Sequence, residues 1–354
     1  MKTLRPAILC AFTSIFIPGG ALAEFSAQCG DLFAGERLTL VVPNSPGGGY
    51  DTYSRALAPV LEKHGGLTAR VTNMPGGGGN AARSFVMNSD AESLVLLIEN
   101  TADLVTSPMG NIGRGALAEK DFTIAGYRIV GILHSEASAW VARDGLDLFS
   151  PDLGTLVASE GSLEEALLPV FVAGLALGID MDAVTGYDGT GEMGAAILRG
   201  EADITSASLT TTKRLAQNEG LEVNLVLSDG PAPSDPDLPF LAGEGSVVWD
   251  LTAGIPEAEA TYRRSLAAAV AGLRGAARGM FVSVNLDADR AACMAELMDL
   301  ASADPEFAEA AEAQGRPVAP IPAAEASELV ASLIASHAAA LPTLEAIAAE
   351  KINE

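Results

Sequence analysis

Positive charge is scarce in this 354-residue sequence: 21 Lys and Arg stand against 46 Asp and Glu, for a formal net charge of −25. So acidic a chain, with no Lys/Arg-rich run, repels a phosphate backbone, and nucleic acid is excluded as a partner. Histidine is scarcer still. His64, His134 and His337 lie scattered, without His-x-x-x-His spacing or a cysteine cluster, so no metal site is expected. Three familiar signatures are missing as well. Gly79 is followed by Asn80-Ala81-Ala82, not by the Lys-Ser/Thr of a P-loop. Gly47-Gly48-Gly49-Tyr50-Asp51-Thr52 lacks the last glycine of the dinucleotide fingerprint. No Gly-x-Ser-x-Gly elbow and no Ser, His and carboxylate triad stand out. No cofactor is expected, and no catalytic residue is assigned.

What is present is a hydrophobic content of 49%, enough for real cores, in a length that suits two domains. Lys2 and Arg5, the apolar stretch Ala7 to Ile17, the break Pro18-Gly19-Gly20 and the small residues of Ala21-Leu22-Ala23 read as a secretory signal cleaved after Ala23. The apolar run is shorter than the roughly 20 residues that span a bilayer, which disfavours a membrane anchor. Removing this leader leaves 19 basic against 46 acidic residues, a net charge of −27. Cys10 goes with it. Cys29 and Cys293 remain, and an even pair in an oxidising compartment invites a disulfide, with two separate thiols as the alternative.

Strand-like and helix-like segments alternate. Leu38 to Val42, Ala69 to Asn73 and Leu94 to Ile98 are apolar, β-branched runs. Between the first two, Tyr53, Ala56, Leu57, Val60 and Leu61 form one helical face, which Pro59 is expected to kink. A short helix follows from Ala81 to Met87. Strand, helix, strand, helix, strand implies a parallel sheet with right-handed crossovers. A second α/β unit is expected from strands at 129–133, 138–142, 155–159, 182–185, 203–206 and 222–227, with helices at 162–177 and 192–198. The Pro/Asp-rich stretch Ser228 to Pro239 looks like a hinge or linker. From Pro256 onward Ala-rich helices, with one strand at Met280 to Val284, are expected to pack back on the first domain.

Chemistry concentrates in two loops. Pro43-Asn-Ser-Pro-Gly-Gly-Gly-Tyr-Asp51 follows the first strand and Asn73-Met-Pro-Gly-Gly-Gly-Gly-Asn80 the second. Open α/β sheets bind ligands at the carboxyl ends of their strands. Glycines there let backbone N–H groups converge on an anion, and Asp51 and Asn80 are candidate N-caps of the helices that follow. Either loop alone would be read as a tight turn; the pair points to a carboxylate site without an arginine. Gly48 and Gly77 are expected to adopt positive φ, so that Val at either position abolishes binding.

These two segments resemble the paired signature of the tripartite tricarboxylate transporter substrate-binding proteins, the Bug family. Further segments are similar: Asp121-Phe-Thr-Ile-Ala125, Gly186-Tyr-Asp-Gly-Thr190 with Leu198-Arg-Gly-Glu-Ala-Asp203, Ala303-Asp-Pro-Glu-Phe307 and Gln314-Gly-Arg-Pro-Val318. The resemblance implies an α/β fold, a two-domain periplasmic-binding-protein clamshell (Venus flytrap), each domain a mainly parallel sheet flanked by helices. Residues 24–125 plus 235–354 would form domain I and 126–234 domain II, after a signal peptide at 1–23. It implies a periplasmic, monomeric solute-binding protein that delivers a small di- or tricarboxylate, or related organic acid, to integral membrane transporter subunits. The alternatives are a secreted hydrolase-like α/β enzyme, with Asp51 or Asp188 as base, and a receptor feeding a sensor protein. The implied site places Ser45, Gly47, Gly48, Gly49, Asp51, Gly76, Gly77, Gly78 and Asn80 on one ligand carboxylate. Asn100 and Thr101 lie nearby, and Ser159, Ser162, Tyr187, Thr190 and Ser206 face them across the cleft. Asn44, Asp188 and Leu163-Glu164-Glu165 depart from the family pattern. The implied topology also puts Cys29 and Cys293 in one domain.

Overall fold

The computed structural model describes residues 25–106, 124–149, 155–160, 172–273 and 275–335. The expected leader, Asp121 to Thr123, Ser162, most of the expected helix at 162–177 and the chain after 335 fall outside these residues. The described strands are β1 (Arg37–Val42), β2 (Thr68–Asn73), β3 (Val95–Asn100), β4 (Tyr127–Arg143), β5 (Thr155–Glu160), β6 (Met181–Tyr187), β7 (Ile204–Ser208), β8 (Leu221–Leu227) and β9 (Gly275–Ser283). They run in the order β2-β1-β3-β9-β4-β7-β5-β6, with β8 also paired to β4.

The two halves of this array mirror each other. β1 lies parallel to β2 and β3, and β9 is antiparallel to both β3 and β4. On the other side β5 lies parallel to β6 and β7, while β7 and β8 are both antiparallel to β4. In each half, therefore, four strands point one way and one runs against them. The near-continuous apolar reading of β3, whose six residues are all buried, follows from having helices on both faces.

β4 joins the halves. Its residues from Tyr127 to Ala137 pair with β9, and those from Ser138 to Arg143 pair with β7 and β8. Two separate strands are expected from the sequence here; the structure has one 17-residue strand with register shifts between Ile129 and Gly131 and between Ile132 and Ser135. The polar His134-Ser135-Glu136 looks like a loop in sequence because this part of the strand passes between two cores instead of through one.

The first core gathers Leu40, Leu57, Leu61, Leu96 and Ile98 with Met280, Met294, Leu297 and Phe307. The second gathers Trp140, Val157, Ile204 and Leu225 with Leu241, Val248, Leu266 and Val270. The chain from Leu241 through the helix Glu257–Leu273 thus packs on the second core, not on the first. The expected linker is also corrected. Ser228 to Pro239 folds back on β8: Val226 N–H donates to Pro239 O at 2.8 Å, Leu241 N–H to Val226 O at 2.9 Å, and Ala232 is buried. The return to the first half is made instead by β9.

Helix Gly49–Gly65 turns Tyr53, Leu57, Val60 and Leu61 into the first core and ends at Gly66 in the left-handed region, φ 61°. It runs as one element through Pro59, which is exposed, so the carbonyl one turn back that loses its donor faces water. Cys29 and Cys293 are joined by a disulfide, with Cα atoms 5.2 Å apart across 264 residues of sequence. It ties helix Ala27–Phe33 to helix Ala288–Ser302.

Candidate functional site

The loop after β1 is braced from within. Gly47 has φ 89°, and its N–H donates to Asp51 Oδ2 at 2.9 Å. The same carboxylate accepts from Arg55 Nε at 3.0 Å and lies 2.8 Å from Arg55 Nη2. Burial pushes the Asp51 carboxyl up, but the bonds from Arg55, Gly47 and Asn73 outweigh it and hold the group below the usual carboxylate range. Asp51 is not the N-cap expected from the sequence. That position is Gly48, extended at φ −72° and ψ 178°, with no side-chain cap, and Asp51 is the third helical residue. The glycines start the helix three residues early and turn the carboxylate back onto the loop. Gly48 therefore does not meet the expectation of positive φ.

The loop after β2 is built differently. Gly76, Gly77, Gly78 and Gly79 have φ of 125°, 58°, 63° and 90°. A side chain disfavours that conformation, most strongly a β-branched one. Gly79 is the N-cap of helix Asn80–Met87, so Asn80 is its first residue and not its cap. Asn80 Oδ1 instead accepts from Arg83 Nη1 at 3.2 Å, and Arg83 Nε donates to the buried Glu99 of β3 at 3.0 Å. A Cβ at Gly79 would lie 3.1 Å from the Pro43 side chain, so the two loops touch.

Opposite them stand the carboxyl ends of the other half. Ser45 N–H donates to Asp188 O at 3.1 Å, and a Cβ at the buried Gly189 would sit 3.9 Å from Ser45. Gly189 caps helix Thr190–Arg199, whose first residue is Thr190. Tyr187 ends β6 half-buried against the Met193 cluster, Ser159 pairs with Thr185 in β5, and Ser206 pairs with Trp140 in β7. The turn Gly77–Gly79 lies close to β5. The structure thus brings Ser45 to Asp188 and Gly189, Gly49 to Thr211, and the Gly77–Gly79 turn to β5. Asn100 and Thr101 are turned inward: Asn100 Oδ1 accepts from Ala102 N–H at 3.3 Å, and the fully buried Thr101 donates to Ala277 O at 3.3 Å.

Sequence reasoning missed the charged group beside the first loop. Arg278, on β9, donates through Nη2 to Glu136 Oε1 at 2.7 Å and to Ser208 Oγ at 2.6 Å. Its guanidinium carbon lies 5.0 Å from the centre of the Tyr53 ring. Arg316 donates through Nη1 to Thr211 Oγ1 at 3.0 Å. Burial, then the neighbouring Arg214 and Arg278, push the Arg316 guanidinium down to about 10. Glu136 is raised by burial but lowered further by Arg278 and by two bonds from Thr210, so it stays ionised below the usual range. Burial keeps His134 neutral at pH 7 and raises Tyr53 to about 12. A signal existed: Arg278 is the one charge in Gly275-Ala-Ala-Arg-Gly-Met-Phe-Val-Ser283, but the expected strand begins at Met280. Arg316 lies in Gln314-Gly-Arg-Pro-Val318, between the helices expected at 305–313 and 323–351, and follows the turn after helix Pro305–Glu312.

Among the described residues no three His, Cys, Asp or Glu side chains are grouped to hold a metal, and no helix is long and apolar enough to cross a membrane. Neither a protein-family model nor a curated protein matches the sequence. Solved structures do share the fold. The periplasmic binding protein BugD is similar with a TM-score of 0.60 at 18% identity, over 88% of this chain and 96% of its own. MatC from Rhodopseudomonas palustris, solved with bound malate, gives 0.61 at 18% identity over 84% and 97%. A second R. palustris protein, solved with adipate, gives 0.63 at 17% identity over 87% and 97%. The chain has the two-domain α/β fold of these periplasmic binding proteins, the fold class expected from its sequence.

Proposed function

We propose that the protein is a periplasmic receptor that captures a small organic acid, delivers it to membrane transporter subunits and does no chemistry on it. One observation carries this reading. Two glycine turns and an uncapped helix start stand at the carboxyl ends of β1 and β2, and the Asp188–Gly189 loop of the other half closes onto them at Ser45. Free N–H groups at a helix start attract an anion, and glycine lets it approach. In a chain of net charge −25 such backbone donors offer a carboxylate a local positive potential. The malate and adipate held by two proteins of the same fold agree with this chemistry.

The ligand-binding set is Ser45, Gly47 to Gly49 and Gly76 to Gly78, with Gly189, Thr190, Tyr187, Ser159 and Ser206 opposite. Asp51 and Asn80 act as loop braces. The first domain runs from the mature start at Glu24 to the middle of β4 and resumes in β9; the second lies between. A ligand touching both stabilises the closed arrangement by its differential affinity, and the membrane subunits read that shape. Asp51, ionised and engaged by Arg55, is a brace and not a general base. A thermal-shift screen of organic acids, followed by calorimetry and analysis of the recovered ligand, tests this. Malate, adipate or a near relative is expected to raise the midpoint and to be recovered unchanged. A flat screen, or turnover of the acid, contradicts it.

A further inference from the structure

Two arginines buried at the hinge are left unexplained by the receptor reading, on which their assignment to a ligand nevertheless rests. Arg278 and Arg316 are 3% and 1% exposed. Arg278 comes from the crossing strand β9 and Arg316 from the turn after helix Pro305–Glu312, yet both reach the start of helix Leu209–Leu215 in the second half, at Ser208 and Thr211. Their bonds use one nitrogen each. Nε and Nη1 of Arg278, and Nε and Nη2 of Arg316, are buried with no hydrogen-bond partner among the described residues.

The charge is unbalanced too. Glu136 is the one carboxylate in hydrogen-bonding contact with the pair among the described residues. A buried guanidinium with open donors is strongly unfavourable unless an anion meets it. This chain has 46 acidic residues to draw on, so a second carboxylate left out of the site is informative. The two guanidinium groups adjoin the glycine loop and its helix: a Cβ at Gly49 would lie 3.6 Å from Arg316 Nη1, the nitrogen bonded to Thr211, and Tyr53, one turn further, underlies Arg278.

We propose that Arg278 and Arg316 form an anion seat on the hinge side of the cleft for a second carboxylate of the ligand, making the receptor selective for dicarboxylates. A planar guanidinium fork matches a carboxylate in two parallel bonds, which an ammonium does not. Because each arginine is carried by one part of the chain and anchored to the other, a carboxylate on both also draws the halves together.

The test is calorimetry on the full exported chain with adipate against hexanoate and malate against 3-hydroxybutyrate. The wild type is expected to prefer each diacid by about 10- to 100-fold, the worth of a charged hydrogen-bonded pair. Arg278→Gln and Arg316→Met should each remove most of that preference while leaving the monoacids within about threefold. Ligand-free melting gives a second readout. Arg316→Met should melt at or above the wild type, because an unpaired charge is removed; a lower melting point together with an unchanged diacid preference marks a purely structural arginine and overturns the proposal. If Arg278→Gln fails to fold, Arg316→Met carries the test alone. A melting point that rises with sodium chloride in the wild type but not in Arg316→Met, without diacid preference, assigns the seat to a free ion and overturns its assignment to the ligand. Binding of none of the four acids by the wild type overturns the seat as assigned, and together with a flat thermal-shift screen overturns the receptor reading itself, whereas diacid preference intact in folded variants overturns only the seat.

Discussion

The two glycine-rich loops look interchangeable in sequence, yet they are held open by opposite means. In the loop after β1, Gly48 is extended, and the turn is fixed by one buried carboxylate that binds Gly47 N–H and Arg55. In the loop after β2 four successive glycines take positive φ, and among the described residues no acidic side chain accepts a hydrogen bond from them. The first loop depends on a side chain and the second on the lack of them. A run of glycines therefore says that the backbone comes close to something, but not which residue in the run can be replaced.

That contrast is open to direct attack. The largest effect is expected from Gly77→Val, where a β-branched residue must adopt φ near 58°; calorimetry should find acid binding reduced more than about 100-fold. A cut remote from both loops serves as the control. Reducing the Cys29–Cys293 bond should lower stability by about 2 to 4 kcal/mol in urea titrations while leaving ligand affinity unchanged, because it pins helices away from the cleft. Asp51→Ala strips the first loop of its brace and leaves Gly47 N–H unpaired, at a cost of about 1 to 2 kcal/mol in stability and about tenfold in affinity. Smallest of all is Gly48→Ala, where the backbone suits any residue and the nearest heavy atom to a new Cβ is Ser45 O at 3.7 Å. Affinity within about threefold of wild type is expected. Equal damage from Gly48→Ala and Gly77→Val would erase the distinction between the loops.

Much of the architecture is legible in the sequence because its signals are local. β-branched apolar runs mark β1, β2 and β3, and the Tyr53-Leu57-Val60-Leu61 face marks the helix between the first two. What escapes depends on partners distant in sequence. β4 reads as two strands broken at His134 to Glu136 because a strand crossing between cores carries polar residues whose partners come from elsewhere: Glu136 meets Arg278, 142 positions away. The Pro/Asp-rich stretch imitates a return crossing, although its prolines only shape turns lying on β8. For the candidate site the glycine loops can be read directly, whereas Arg278 and Arg316 cannot. A lone arginine in an apolar strand marks Arg278 as unusual, but its partners Glu136 and Ser208, like the Gly49 and Thr211 that Arg316 meets, are distant in sequence.

Closure by a bound acid is the claim on which the rest depends, and small-angle scattering of the exported chain reads it most directly. With and without saturating adipate, or whichever acid raises the melting point most, the radius of gyration is predicted to fall as the halves draw together across Ser45 and Asp188. Calorimetric binding of the same acid with an unchanged radius of gyration would contradict the account.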